Sequence, residues 1–136
     1  MNEYRFDVKW GATDAAGIVF YPNFYKWMDE ATHNLFVNSG YQLSKLFAEE
    51  SIGIPLLEAN CQFKSPLRFE DYVTVRTSIR EIRNKVLILD HVFSKRDIEV
   101  AIGYEVRAWT RFGTIPKAEP VPLEIQNALG YQKSSI

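Results

Sequence analysis

From Ile54 to Phe112 the chain holds four long strand-like stretches and almost nothing to connect them. They read "IPLLEANCQFKSP", "DYVTVRTSIREIR", "KVLILDHVFSKR" and "IEVAIGYEVRAWTRF", rich in Val, Ile, Thr and aromatic residues. Their breaks fall at "SPLRFED", "RNK" and "RDI", short and polar. A parallel neighbour needs a crossover of a dozen residues or more, so breaks this short confine the strands to antiparallel pairing. The four stretches are therefore expected to form one meandering sheet.

The first half supplies what covers that sheet. Residues 4 to 10, "YRFDVKW", alternate, with Tyr4, Phe6, Val8 and Trp10 on one face and Arg5, Asp7 and Lys9 on the other, and predict a fifth strand. After a loop from Gly11 to Tyr21, Pro22 suits the first turn of a helix, where its missing N–H is not needed. Phe24, Trp27, Met28, Ala31 and Leu35 then form one apolar stripe at helical spacing, and Ser39 and Gly40 stop it. That predicts a helix of roughly 17 residues, about 25 Å long, which matches the breadth of a five-stranded sheet. A shorter helical piece is expected in "LSKLFAEE", and one helical turn in the proline-rich tail. The fold class is α+β. One helix on one sheet is a thin core with open sheet edges, so an oligomer that pairs those edges is expected.

At 136 residues the chain fits one domain, residues 1–136, with its core at about 4–112 and a tail at 113–136. A formal charge of −1, mixed along the chain, gives no basic stripe for nucleic acid or an anionic membrane. No apolar run approaches a membrane span. The amino terminus, "MNEYRFDVKW", lacks the apolar core of a signal peptide, and Cys61 is the only cysteine, so a cytoplasmic location is expected. His33 and His91 are far apart, with no acid or cysteine at ligand spacing, so no metal site is expected. Cys61, mid-strand among apolar neighbours, reads as a buried inert thiol. There is no serine-hydrolase elbow, P-loop or dinucleotide fingerprint.

The stretch "TDAAGIVFYPNFYKWMDEA" resembles the signature of the 4-hydroxybenzoyl-CoA thioesterase family of hotdog-fold proteins. That signature runs from an aspartate to a glycine three residues on, an aromatic, a position often Asn, and an aromatic–acidic pair on the helix. Here these are Asp14, Gly17, Tyr21, Pro22, Asn23, Trp27 and Asp29. The second half is similar as well, with Phe63, Pro66, Asp71 and the basic cluster Arg83 and Lys85, so the resemblance covers roughly residues 5–112. The "YPN" element and the basic cluster look closest to the bacterial branch acting on aromatic acyl-CoAs, where the cluster is richer in arginine. Here Asn84 stands between Arg83 and Lys85.

The resemblance implies a hotdog fold, a five-stranded antiparallel sheet wrapped around one long central helix. It implies an acyl-CoA thioesterase of aromatic compound breakdown, with coenzyme A as part of the substrate and no metal or other cofactor. Its partners would be the acyl-CoA and further copies of itself, as a dimer or a dimer of dimers (a homotetramer). The substrates implied are hydroxybenzoyl-type thioesters, 4-hydroxybenzoyl-CoA or a dihydroxylated relative. The alternatives are a short- or medium-chain acyl-CoA thioesterase of broad specificity and a non-catalytic domain that binds acyl-thioesters.

The residues support that chemistry. A thioester carbonyl becomes an oxyanion when attacked, and a helix start offers unpaired N–H groups and partial positive charge. Pro22 has none to give, which leaves the amides of Tyr21, Asn23 and Phe24, and the resemblance implies that of Tyr21. Asp14, with the loop bending at Gly17, would face the same carbonyl as nucleophile or as base toward water. The leaving thiolate has a conjugate thiol that titrates near roughly 8.5, so it departs without a strong general acid. Read without the resemblance, Asp14 is an ordinary turn or cap residue. Asp29 is either a solvated acid or a partner for a substrate hydroxyl or the neighbouring subunit, and Trp27 is core or substrate wall. Arg83 and Lys85 form a polar hairpin turn or hold the phosphates of coenzyme A. Ile54, Pro55 and Asn60 on the first long strand either pack in the core or, as the resemblance implies, line a partner's acyl pocket.

Overall fold

The stripe at 22–38 becomes a helix in the computed structural model, which describes residues 2–132. The elements in chain order are β1 (Asn2–Asp7), a 3-10 turn at Trp10–Ala12, α1 (Pro22–Asn38), α2 (Leu43–Glu50), β2 (Ile52–Gly53), β3 (Leu56–Phe63), β4 (Tyr72–Arg83), β5 (Val86–Lys95), β6 (Ile98–Ala108), β7 (Thr110–Phe112), β8 (Pro116–Ala118) and α3 (Leu123–Ala128). Phe24, Trp27, Met28, Ala31 and Leu35 are all buried along one face of α1, as the spacing predicts. The helix ends where expected: Ser39 returns both its N–H and its hydroxyl to the carbonyl of Leu35, and Gly40 follows at φ +90°.

Five strands form the antiparallel sheet expected, in the order β1-β4-β5-β6-β3, with α1 across its inner face. One rung of this sheet, Asn2–Thr77–His91–Gly103–Cys61, crosses all five strands. The inward face is the odd-numbered one on β5 and β6, Leu87 to Phe93 and Ala101 to Arg107, because side chains alternate along a strand.

Three expectations need correction. β1 stops at Asp7 rather than Trp10, because β4 begins at Tyr72 and offers no ladder beyond it. Val8 pairs instead with the backbone of Glu70 and Asp71, while Trp10 swings out to 73 % exposure. The stretch from 98 to 112 is not one strand. Ala108 and Trp109 give their N–H groups to Pro55 and Lys85, the chain turns, and β7 joins β2 and β8 in a separate three-stranded sheet. Ile54 and Pro55 lie ahead of β3, on the link from β2, not on the long strand. The expected helical turn of the tail is α3, and the tail's last four positions, 133–136, lie outside the described residues.

The apolar interior is divided. One cluster packs Phe24, Trp27, Met28 and Ala31 against Val73, Val75, Phe93 and Ala101. A second joins Leu35 and Phe36 to Leu87, Leu89, Trp109 and Ile125, with α2 and α3 as its outer walls. Between them lies a belt of buried polar groups: Thr32, Thr77, His91, Glu105 and Arg107.

Candidate active site

The loop ahead of α1 is held by its own backbone. Gly17 donates to the carbonyl of Asp14 at 2.9 Å, and Asp14 donates to Ile18 at 3.0 Å, which closes a tight turn. The turn needs Gly17 at φ +78°, where a side chain would strain the backbone. Asp14 Oδ1 accepts the N–H of Ala16 at 2.8 Å, and the rest of the carboxylate faces solvent. So the ordinary turn role and an exposed, available acid coexist in one residue. Thr13 bridges Val19, and Val19 donates to Leu67 at 2.8 Å, pinning the loop to the connection between β3 and β4.

Asn23 fastens this loop to the helix. Its side-chain amide donates to the carbonyl of Ala12 at 2.9 Å, and the same oxygen accepts the N–H of Phe20. At the helix start the Asn23 and Phe24 amides turn back onto Phe20 and Tyr21, at 3.0 and 3.1 Å. Of the three donors the sequence offers, only the Tyr21 N–H is left uncommitted among the described residues. Tyr21 borders a cleft of about 430 Å³ together with Ile18, Phe24, Phe63 and Pro66. The residue is 60 % exposed, and its ring meets Phe20 and Phe63 edge-on. An amide donor at the wall of an apolar cleft is where a developing oxyanion gains most from a hydrogen bond. Asp14 does not line this cleft, but it is hydrogen-bonded to Ile18, which does.

The remaining candidates separate into three places. Ile54 and Pro55 border a second cleft of about 480 Å³, with His33, Phe47, Phe112 and Arg107. Asp29, half exposed, accepts a hydrogen bond from Arg107 at 2.8 Å, and His33 lies 3.6 Å from the same oxygen. The first cleft opens between α1 and the end of the edge strand β3, while the second lies between α1, α2 and the link from β2 to β3; Asn60 lines neither and sits on β3 in register with Tyr104. Trp27 is core, 8 % exposed and stacked against Phe6 and Phe24. Arg83 and Lys85 stand apart on the β4–β5 turn, Arg83 paired with Glu81. That turn lies the length of β4 away from the Leu67 connection, roughly 36 Å at the usual rise.

The polar belt is what reading the sequence missed. Glu105 takes Arg107 with both oxygens, at 3.3 and 2.8 Å, and also accepts from the Thr32 hydroxyl. His91, whose sequence neighbour Asp90 points to the other face of the strand, has its Nε2 3.0 Å from Glu105 Oε1 and its Nδ1 2.8 Å from the Thr77 hydroxyl. Arg107 also donates to the carbonyl of Ile54 at 3.0 Å. Burial pushes the Glu105 carboxyl up, but hydrogen bonds from His91 and Arg107 and their charge outweigh it and hold it at about 2. The signal was present: His91, Glu105 and Arg107 share the strand parity of Leu87, Leu89 and Ala101, so alternation alone assigns them to the buried face.

The sequence pattern of the thioesterase-like superfamily matches residues 8–129. A 4-hydroxybenzoyl-CoA thioesterase of Pseudomonas sp. strain CBS-3 is 31 % identical over 90 residues, covering 65 % of this chain and 64 % of that relative, just under two thirds of its length. Among solved structures, a gentisyl-coenzyme A thioesterase is 48 % identical with a TM-score of 0.84, covering 94 % of this chain and 98 % of that one. An aspartate-to-asparagine mutant of 4-hydroxybenzoyl-CoA thioesterase, complexed with 4-hydroxybenzoyl-CoA, is 27 % identical with a TM-score of 0.87, covering 93 % and 96 %. The chain belongs to the thioesterase-like superfamily and is a hotdog-fold thioester hydrolase.

Proposed function

We propose that this thioesterase hydrolyses hydroxybenzoyl-type acyl-CoA thioesters, 4-hydroxybenzoyl-CoA or a dihydroxybenzoyl relative, to the free acid and coenzyme A. The observation that carries this reading is the single uncommitted helix-end amide, Tyr21 N–H, at the wall of a cleft whose loop also carries the exposed Asp14. The thioester carbonyl oxygen accepts from Tyr21 N–H. Asp14 attacks the carbonyl carbon to form a mixed anhydride that water then opens, or it removes a proton from an attacking water. In either case the C–S bond breaks with its electron pair on sulfur, and a thiolate leaves without a strong acid. The scheme draws on no metal or cofactor.

Spacing along α1 supports an aromatic acyl group. Asp29 is eight residues beyond Tyr21, about 12 Å along the helix axis. Hydrogen bonds of roughly 2.9 Å at each end leave about 6 Å, room for one aromatic ring. Support comes also from the two solved relatives, whose names carry hydroxylated benzoyl thioesters. Gly17 shapes the catalytic turn, and Ile54, Pro55 and Asn60 line the acyl site across an interface between copies. Because β4 separates Arg83 and Lys85 from Asp14 in one chain, the basic turn that meets the nucleotide phosphates is assigned to a neighbouring copy of a homo-oligomer.

The test is a panel of acyl-CoAs assayed with a thiol-detecting dye. Hydroxybenzoyl thioesters are expected to lead. Asp14→Asn is expected to lose roughly 10²–10⁴-fold in rate while still binding acyl-CoA. Wild-type protein that binds acyl-CoA but never releases thiol would overturn the reading. The apolar lining of the Tyr21 cleft favours one rival, a broad short- or medium-chain acyl-CoA thioesterase, and equal rates across the panel would select it. In single-turnover hydrolysis in oxygen-18 water, label in the Asp14 carboxylate would identify an anhydride opened at the aspartyl carbon; label in the released acid alone fits an anhydride opened at the acyl carbon as well as direct attack by water.

A further inference from the structure

A small cleft of about 210 Å³ lies behind the loop that carries Asp14 and shares no lining residue with the Tyr21 cleft. Three of its residues, Asn23, Lys26 and Trp27, come from one face of α1, since positions three and four apart on a helix are neighbours. Asp7 and Lys9 come from the end of β1 and the chain just beyond it, and Ala12 from the turn that follows. The cleft therefore sits across the Asn23–Ala12 hydrogen bond that joins the loop to the helix.

Its lining is rich in unused donors. The ion pairs that lysines make among the described residues are those of Lys64 and Lys95, so Lys9 and Lys26 border the cleft without an acid partner. Trp27 is 8 % exposed and makes no side-chain hydrogen bond among the described residues. Its indole nitrogen is not sealed either, because the sealed and unpartnered side-chain nitrogen there belongs to Asn2. A buried indole N–H ordinarily finds a partner, and this cleft is the open space that Trp27 borders. Asn23 commits its amide nitrogen to Ala12, and Asp7 supplies the carboxylate, so the lining carries two positive charges and one negative. Two ammonium groups with three donors each, beside a fixed N–H, suit an oxyanion. The space takes one such small group and a few waters. Two positive charges repel a metal ion, and an apolar guest would leave the N–H unpaired.

We propose that this cleft is a phosphate-binding site whose occupant ties the root of the Asp14 loop to α1. The phosphate oxygens bridge Lys9, at the base of the loop, to Lys26 and Trp27 on the helix, in parallel with the Asn23 bond. The inference goes beyond the thioesterase reading and is tested without turnover. The phosphate has two sources, the free inorganic ion and the phosphate groups of coenzyme A.

The probe is inorganic phosphate, titrated by calorimetry into the substrate-free protein at constant ionic strength. Lys26→Gln and Lys9→Gln, both exposed changes, are each expected to raise its Kd about 10-fold, the worth of one hydrogen bond to a charged group. Trp27→Phe, which keeps a ring and drops the N–H, should raise it by a similar factor. Lys45→Gln, which removes a charge on α2, should leave it within about 2-fold. Amide hydrogen exchange at Asp14 and Gly17, whose N–H groups close the turn of the loop, is expected to slow about 5-fold in saturating phosphate in wild type and not in Lys26→Gln. Displacement of phosphate by coenzyme A, with a KM for acyl-CoA raised by Lys26→Gln, would name coenzyme A as the source. No displacement and an unchanged KM would name the free ion. Absence of phosphate binding, equal binding in wild type and the three cleft variants, or binding that leaves exchange in the loop unchanged overturns the proposal.

Discussion

Gly103 lies on the inward face of β6 where α1 comes closest to the sheet. A Cβ there would run into the sulfur of Met28 and stand 2.8 Å from the backbone oxygen of Asn60. Met28 can yield, but the carbonyl belongs to β3 and cannot move without its strand. Gly103→Ala is therefore expected to destabilise the protein by about 1–3 kcal/mol, with Met28→Ala giving only partial rescue, as read by urea unfolding. Glu105 is the other residue whose surroundings set a measurable quantity. Its folded pKa of about 2 lies below the ordinary 4.5, so its stabilising contribution is complete above about pH 4.5 and is lost as pH falls toward 2. The shift corresponds to about 3 kcal/mol. Unfolding curves at pH 7, 4.5 and 3 should show stability falling across that window for wild type. Glu105→Gln should start lower and fall less; an equal slope would remove Glu105 from the account.

At the scale of elements, the junction between the loop and α1 is a small machine with one fastener. The Asn23 side chain is the bond that ties the loop bearing Asp14 to the helix bearing the Tyr21 amide. Asn23→Ala should cost about 1 kcal/mol of stability, the usual worth of one partly buried hydrogen bond. The rate of thiol release should fall further than that, since a loosened loop misplaces the acid relative to the amide. If the loss of rate merely tracks the loss of folded protein, Asn23 is a cap and nothing more. Pro22 contributes from the other side: with no N–H of its own and the next two amides folded back, it leaves the Tyr21 amide as the one uncommitted donor at this junction among the described residues.

For the whole molecule, the telling feature is the distance between parts that one substrate would have to join. The basic turn at Arg83 and Lys85 and the loop at Asp14 lie at opposite ends of β4, while β3 leaves Leu56, Leu57 and Phe63 exposed along an unpaired sheet edge. The homo-oligomer proposed above would answer both. Replacing Arg83 and Lys85 with Ala is expected to raise KM for acyl-CoA several-fold with little change in kcat, an effect that fades at high salt. A charge-reversing or proline substitution on β3, such as Leu57→Pro, is expected to lower both the sedimenting mass and the activity. Full activity in a monomer would refute the shared-site arrangement.

The five strands of the main sheet and their antiparallel pairing, the helix at 22–38 and the loop with Asp14, Gly17 and Tyr21 were legible from the sequence, because each depends on local periodicity and turn chemistry; the small sheet of β2, β7 and β8 was not. Which helix-end amide stays free was not, since that depends on where Asn23 and Phe24 turn their own N–H groups. Nor was the belt from His91 through Glu105 and Arg107 to Asp29, whose members come from two strands and a helix up to 78 positions apart. Periodicity says which face a side chain occupies. Only the packing of α1 against β5 and β6 decides which polar side chains on that face find one another, because the partners are set by register and crossing rather than by neighbours in the chain.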